Sequence, residues 1–116
     1  MRANDAALFQ MIHAARLALD FAGEMSPAEF FLDPKTQSAA LFQILLFAEG
    51  ARQVAPGFRE KHAEVPWSLL LTLRDRILRD GGMLDPIEVW NTLHRDLPSL
   101  LSRLETLLLR EDFNPV

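Results

Sequence analysis

The sequence has no cysteine and no tyrosine, and only 5 of its 116 residues are glycine. Without cysteine there is no disulfide framework and no thiolate metal site. We also find no glycine-rich phosphate loop, no His/Asp/Glu cluster with metal-ligand spacing, and no serine placed beside a histidine. These absences argue against a disulfide-stapled secreted domain and against metal or cofactor chemistry. The cytoplasm is the expected compartment.

Long apolar runs and a strong positive charge are missing as well. No stretch reaches the roughly 18 uncharged apolar residues of a membrane-spanning helix, so no membrane association is expected. The net charge is −4, and an acidic chain is a poor nonspecific ligand for nucleic acid. Only the middle of the chain, residues 52–80, is net positive, with six basic and four acidic residues. This excess is a weak indication of RNA contact.

What the chain has in quantity is apolar residues, 49% of the total, and they recur at helical spacing. The pattern predicts four long helices over about residues 2–24, 34–55, 66–79 and 86–110, with short extra helical turns between them. We therefore expect a single all-α domain covering residues 1–116, folded as a four-helix up-and-down bundle.

Capping residues divide these helices. Ser26, Asp33 and Asp85 each stand directly before a proline, an order typical of helix N-termini. Pro98 falls inside the last predicted helix and is expected to kink it near Asp96.

The second predicted helix is apolar almost all round between Leu41 and Ala48. A helix of this kind must be covered on every side. We expect part of its surface to meet a second copy in a two-fold homodimer; the alternative is a helix wrapped within one monomer. Glu49 follows this stretch and would need a cationic partner, most naturally an arginine, unless it reaches water. Gly50 and Ala51 are small enough to let another helix approach closely.

The order and spacing of five segments resemble the HepT-like branch of the HEPN superfamily over nearly the whole chain. The segments are Phe47–Ala51, Val65–Trp67, Leu73–Leu78, Asp85–Trp90 and Leu97–Leu100. The resemblance implies a helical bundle, usually a homodimer, that acts as a metal-independent endoribonuclease toxin. It also implies a minimal nucleotidyltransferase antitoxin as partner, which silences such toxins by attaching adenylates to a tyrosine.

The family signature is an arginine, a short spacer and a histidine, followed in many members by that tyrosine. The two subunits place their signatures face to face. In this chain the arginine matches Arg74, and Asp75 stands where many members have asparagine. The histidine position falls on Arg79 and the tyrosine position on Gly81. The chain thus keeps the first arginine of the signature and lacks its histidine and tyrosine.

This difference has a chemical meaning. Cleaving RNA without a metal needs a group that takes up and releases a proton near neutral pH, as histidine does. Arginine stays protonated and can only hold phosphate. We therefore expect a protein without catalysis that works by association. The alternative is an active ribonuclease in which Arg74 and Arg79 grip phosphate and a displaced group such as His62 supplies the acid or base. A third hypothesis is RNA binding without turnover, with phosphate contacts from Arg74, Arg76 and Arg79.

The arginines also have a purely structural interpretation. Asp75 with Arg79, and Arg76 with Asp80, are spaced for ion pairs one turn apart on a helix. We favour this interpretation for Arg76. For Arg74 a functional role and a pair with the carboxylate of the second helix stay open. The three histidines of the chain are predicted to be solvated surface residues.

Overall fold

The computed structural model describes residues 3–80 and 84–112, and within these ranges the chain is helical and contains no strand. The helices are α1 (Ala3–Ala22), α2 (Pro27–Phe31), α3 (Pro34–Gln53), α4 (Pro56–Lys61), α5 (Trp67–Arg79), α6 (Pro86–Asn91) and α7 (Leu97–Asp112), with a π-helical turn (Thr92–Asp96) joining the last two. The predicted all-α class is confirmed. The four long predicted helices correspond to α1, α3, α5 and the continuous segment from α6 to α7.

The predicted helix starts are confirmed by their capping contacts. Ser26 and Glu29 form a reciprocal capping box at α2, with distances of 3.2 and 3.0 Å. Asp33 at α3 accepts a hydrogen bond from the backbone N–H three residues on, at 3.0 Å. Asp85 does the same at α6 for the N–H two residues on, at 2.8 Å. One of the short extra turns, α4, begins at Pro56, because proline needs no donor at a first helical position.

The disturbance expected from Pro98 takes the form of the π-helical turn directly before it. The backbone N–H of Leu97 donates to the carbonyl of Thr92, five residues earlier. Proline cannot donate a hydrogen bond, and its ring crowds the carbonyl four residues before it, here that of His94. The wider turn over residues 92–96 accommodates both effects without ending the helix.

Helices α1 and α3 form the most closely packed pair. A Cβ atom on Gly50 would lie 2.2 Å from Cγ of Met11, which is fully buried. The expectation that Gly50 permits close helix approach is confirmed, and the helix that approaches is α1.

The other long helices pack at either side of this pair. Helix α5 packs on α3, and α7 packs on α1. Among the residues that the structure describes, α5 is not packed along α7, so the side of the molecule between these two helices is open. The fully buried core comes from all four long segments and α2: Leu8, Met11, Phe30, Ile44, Phe47, Ile77, Leu93, Leu97, Leu104 and Leu107.

Candidate functional site

The rotation of helix α5 decides where the signature residues lie. Trp67 at its first turn is buried, and its ring N–H donates to the carbonyl oxygen of His62 at 2.9 Å. Leu70 and Ile77 are buried on the same side of the helix. Burial of this apolar side fixes the rotation of α5 about its axis. In this rotation Arg74 faces α3.

That arginine, Arg74, forms an ion pair with Glu49 of α3 through its Nε and the carboxylate Oε2. Its Nη1 donates to Asp75 Oδ1 at 2.8 Å. Glu49 also accepts two hydrogen bonds from Arg52, from Nε at 2.9 Å and from Nη2 at 2.7 Å. The side chains of Arg74 and Glu49 are 23% and 25% exposed. Glu49, expected to need an arginine, therefore has two.

The charges in this network reinforce each other. Hydrogen bonds from Arg52, and then from Arg74, lower the pKa of Glu49, although partial burial opposes them. The hydrogen bond to Glu49 raises the pKa of Arg74, with a smaller contribution from Asp75. At neutral pH the glutamate is an anion and the arginine a cation. A carboxylate held ionised in this way is a poor general base, because it has little affinity for the proton it would have to accept.

The other two arginines of α5 point elsewhere. Arg76 crosses to α6 and forms an ion pair with Glu88. Arg79 is exposed in the last turn, and in residues 3–80 and 84–112 it forms no ion pair. The two predicted pairs within α5, Asp75 with Arg79 and Arg76 with Asp80, are wrong. Partners outside the helix compete for Arg76, and the adjacent Arg74 takes Asp75. Gly81, at which the family resemblance implied the tyrosine position of the signature, lies outside the described residues.

None of the three histidines joins these arginines. His13 is exposed on α1, as predicted. His94 is also exposed, with its ring stacked on Trp90 at a centroid distance of 3.8 Å. The prediction for His62 is wrong: it is only 8% exposed, because its ring packs 4.4 Å from that of Phe58 on α4. His62 pairs with Glu64, at 3.5 Å between Nδ1 and Oε1, and Nδ1 of His94 lies 3.1 Å from the carbonyl oxygen of Trp90.

Apolar side chains surround the ion pair on the outer surface. Leu46 and Phe42 lie one and two turns before Glu49 on the same side of α3, and they are 41% and 55% exposed. Leu78, one turn after Arg74, is also exposed. We call these five residues the signature face. Sequence periodicity alone missed it, although the all-round apolar character of α3 indicated that some such surface exists.

The described residues contain no group of three or more His, Cys, Asp or Glu side chains that could hold a metal ion. Among the helices of the described ranges, none has the length and apolar character needed to cross a membrane. The chemistry available on the signature face is therefore that of guanidinium and carboxylate groups.

These features define an all-helical protein with an arginine–carboxylate site between two of its long helices. The family described as Ribonuclease HepT-like matches residues 11–107. The chain belongs to this HepT-like ribonuclease family, within the HEPN superfamily, as its sequence segments indicated.

Curated relatives are similar over most of their length. A protein named "Probable ribonuclease HepT" from Thermococcus cleftensis is 28% identical over 100 residues, which are 86% of this chain and 91% of that protein. A Methanocaldococcus jannaschii protein named provisionally as an RNase is 23% identical, over 87% of this chain and 84% of its own. A Caldanaerobacter subterraneus protein, also named provisionally as an RNase, is 25% identical to this chain. The similar region covers 72% of this chain and 74% of that protein. No solved structure matches the chain.

Proposed function

We propose that this chain is a HepT-like protein without ribonuclease catalysis, which acts in the cytoplasm by forming a homodimer and associating with a minimal nucleotidyltransferase antitoxin. The observation that carries the proposal is the placement of charge on α5. Arg79, which cannot exchange a proton near neutral pH, stands at the signature histidine position. The described histidines have other surroundings: His62 pairs with Glu64, His94 stacks on Trp90, and His13 is exposed on α1.

The state of Arg74 supports the same conclusion. Its guanidinium is engaged by Glu49 and Asp75, so it would have to leave two carboxylates before it could hold a phosphate. Those carboxylates also place negative charge where an RNA backbone would approach. The signature arginine is therefore better explained as a link between α3 and α5 than as a substrate-binding group.

Dimerisation is proposed through the signature face. Phe42, Leu46 and Leu78 expose apolar surface around a largely neutralised ion pair, a composition that favours burial against a matching surface. A two-fold axis would bring this face against itself, which agrees with the face-to-face signatures that the family resemblance implies. The nucleotidyltransferase partner rests on the resemblance alone.

The second candidate is an active metal-independent ribonuclease toxin. The names of the relatives favour it, as does the exposed position of Arg79, where a cation is open to phosphate. In that case another group must supply the proton transfer that Arg79 cannot.

A gain-of-function experiment separates the two candidates. We expect the purified chain to leave RNA intact in the presence of a metal chelator, and the R79H variant, alone and with G81Y, to cleave it. The matched control is H13Q, which removes an exposed histidine of α1 and should change nothing. If the wild-type chain cleaves RNA and R79H does not increase the rate, the proposal of a non-catalytic protein is wrong. Co-purification with the nucleotidyltransferase encoded beside the gene tests the partner.

A further inference from the structure

A groove of about 560 Å³ lies on the open side of the molecule, between α5 and the segment from α6 to α7, with Phe47 of α3 at its base. Leu69, Leu73 and Arg76 line it from α5. At 100° per residue these positions lie on one flank of the helix, whereas Arg74 lies on the other. The groove is therefore a surface separate from the signature face.

The groove is long, its α5 wall is mainly apolar, and its opposite wall is mainly polar. Its α5 wall runs from Pro66 to Arg76 and its opposite wall from Glu88 to Arg103. At 1.5 Å per residue these walls are about 15 and 22 Å long, three to four helical turns. Leucines from both walls face the space, and Leu69 keeps 69% of its surface exposed. A trough of this length, with a leucine-rich wall facing a polar one, matches an amphipathic helix better than a compact small molecule.

The rim of the groove carries positive charge. Arg76 is neutralised by Glu88, but Arg95 and Arg103 form no ion pair with a carboxylate in the described part of the chain. Arg103 donates only to the carbonyl oxygen of Glu64, at 3.0 Å, which leaves its charge unopposed. Asp96 is the other acidic side chain at the rim. An occupant with carboxylates beside its apolar ridge would complement the positive charges of Arg95 and Arg103.

Single-stranded RNA fits this surface less well. Proteins that bind RNA without a duplex usually stack bases on exposed aromatic rings. The aromatic side chain at this groove, Phe47, is only 1% exposed. The α5 wall offers aliphatic side chains instead, which pack against other aliphatic side chains. The observations thus favour a protein helix over a nucleic acid.

We propose that the groove between α5 and α7 binds an acidic amphipathic helix of a partner protein. Leucine-like residues of that helix pack between Leu69 and Leu100, and its carboxylates pair with Arg95 and Arg103. The proposal does not depend on whether the signature face dimerises or cleaves RNA, because none of the signature-face residues lines the groove.

The probe is a fluorescein-labelled helical peptide of about 14 residues, with leucines at i, i+4, i+7 and i+11, glutamates beside them and alanine elsewhere. A second peptide has lysine in place of every glutamate. Binding to the full chain is measured by fluorescence anisotropy. The groove variants are L69D and the double variant R95E/R103E. Their matched controls lie on exposed positions elsewhere: L32D, and the double variant K35E/K61E.

We expect the glutamate peptide to bind the wild-type chain and to bind each groove variant at least about tenfold more weakly. The lysine peptide should also bind at least about tenfold more weakly, and the control variants should stay within about twofold of wild type. Absence of binding by the glutamate peptide, equal binding of the two peptides, or binding unaffected by the groove variants overturns the proposal. If an oligouridylate displaces the peptide, and its binding is lost in R95E/R103E, the groove binds RNA. This result would also overturn the proposal. Circular dichroism of each variant confirms that it is folded.

Discussion

The ion-pair network around Glu49 allows a stability prediction that can be worked out from its contacts. The carboxylate serves Arg52 and Arg74 at once, and its side chain is 25% exposed. The variant E49Q keeps the size of the side chain but removes the charge that both guanidiniums face. Since partly exposed ion pairs contribute about 0.2–1 kcal/mol each, we expect the free energy of unfolding at pH 7 to fall by about 1 kcal/mol.

The same variant should reveal a pH dependence. The folded-state pKa of Glu49 is lowered by Arg52 and, less strongly, by Arg74, from a usual value of 4.5. Stabilisation by this carboxylate is therefore fully present above the unfolded-state pKa and is lost as the pH falls through the folded-state pKa. The difference in unfolding free energy between wild type and E49Q should be largest near neutral pH and should shrink toward about pH 3.

Urea denaturation followed by far-UV circular dichroism at both pH values measures this difference. The control is E60Q, an exposed glutamate of α4, which should leave the free energy of unfolding nearly unchanged at pH 7. Equal stability of E49Q and wild type at pH 7 would contradict the pairing described for α3 and α5. A difference of the same size at both pH values would contradict its electrostatic origin.

Two further predictions concern packing. In analytical ultracentrifugation the double variant F42E/L46E should be monomeric, whereas L109E, at an equally exposed leucine of α7, should stay dimeric like the wild-type chain. A monomeric wild-type chain, or a dimer formed by all three proteins, would contradict dimerisation through the signature face. The variant G50A should lower the free energy of unfolding by about 1–2 kcal/mol, because its Cβ would lie 2.2 Å from a buried side chain of α1. A Cβ atom on Gly57 would have no neighbouring atom within 4 Å. The variant G57A should therefore leave the free energy of unfolding unchanged or raise it by up to about 1 kcal/mol in urea denaturation. Equal effects of G50A and G57A would refute the close approach of α1 and α3 at Gly50.

Much of the fold could be predicted from local sequence. Apolar spacing marked the four long helices, and the pairs of capping residue and proline at Ser26, Asp33 and Asp85 marked three helix starts. These signals act over a few residues, and over that distance backbone hydrogen bonding and the helical repeat decide where a helix forms and where it begins. The need of Glu49 for an arginine was predictable for the same kind of reason, because a partly buried carboxylate requires a partner.

Contacts between distant parts of the chain were not predictable in this way. Arg76 could have paired within α5, and only the fold brings Glu88 beside it. His62 has charged neighbours in the sequence, yet its ring is covered by Phe58. The open side between α5 and α7 is likewise invisible in helical periodicity, since both helices carry ordinary apolar faces. Each of these features depends on the relative placement of helices rather than on any one of them.

The central claim is that a side chain fixed in its charged form has replaced the one that must carry a proton. The most direct test incubates the purified wild-type chain with single-stranded RNA and a metal chelator, beside the R74A variant, and follows the RNA by gel electrophoresis. We predict intact RNA with both proteins. Cleavage by the wild-type chain that disappears in R74A would contradict the claim.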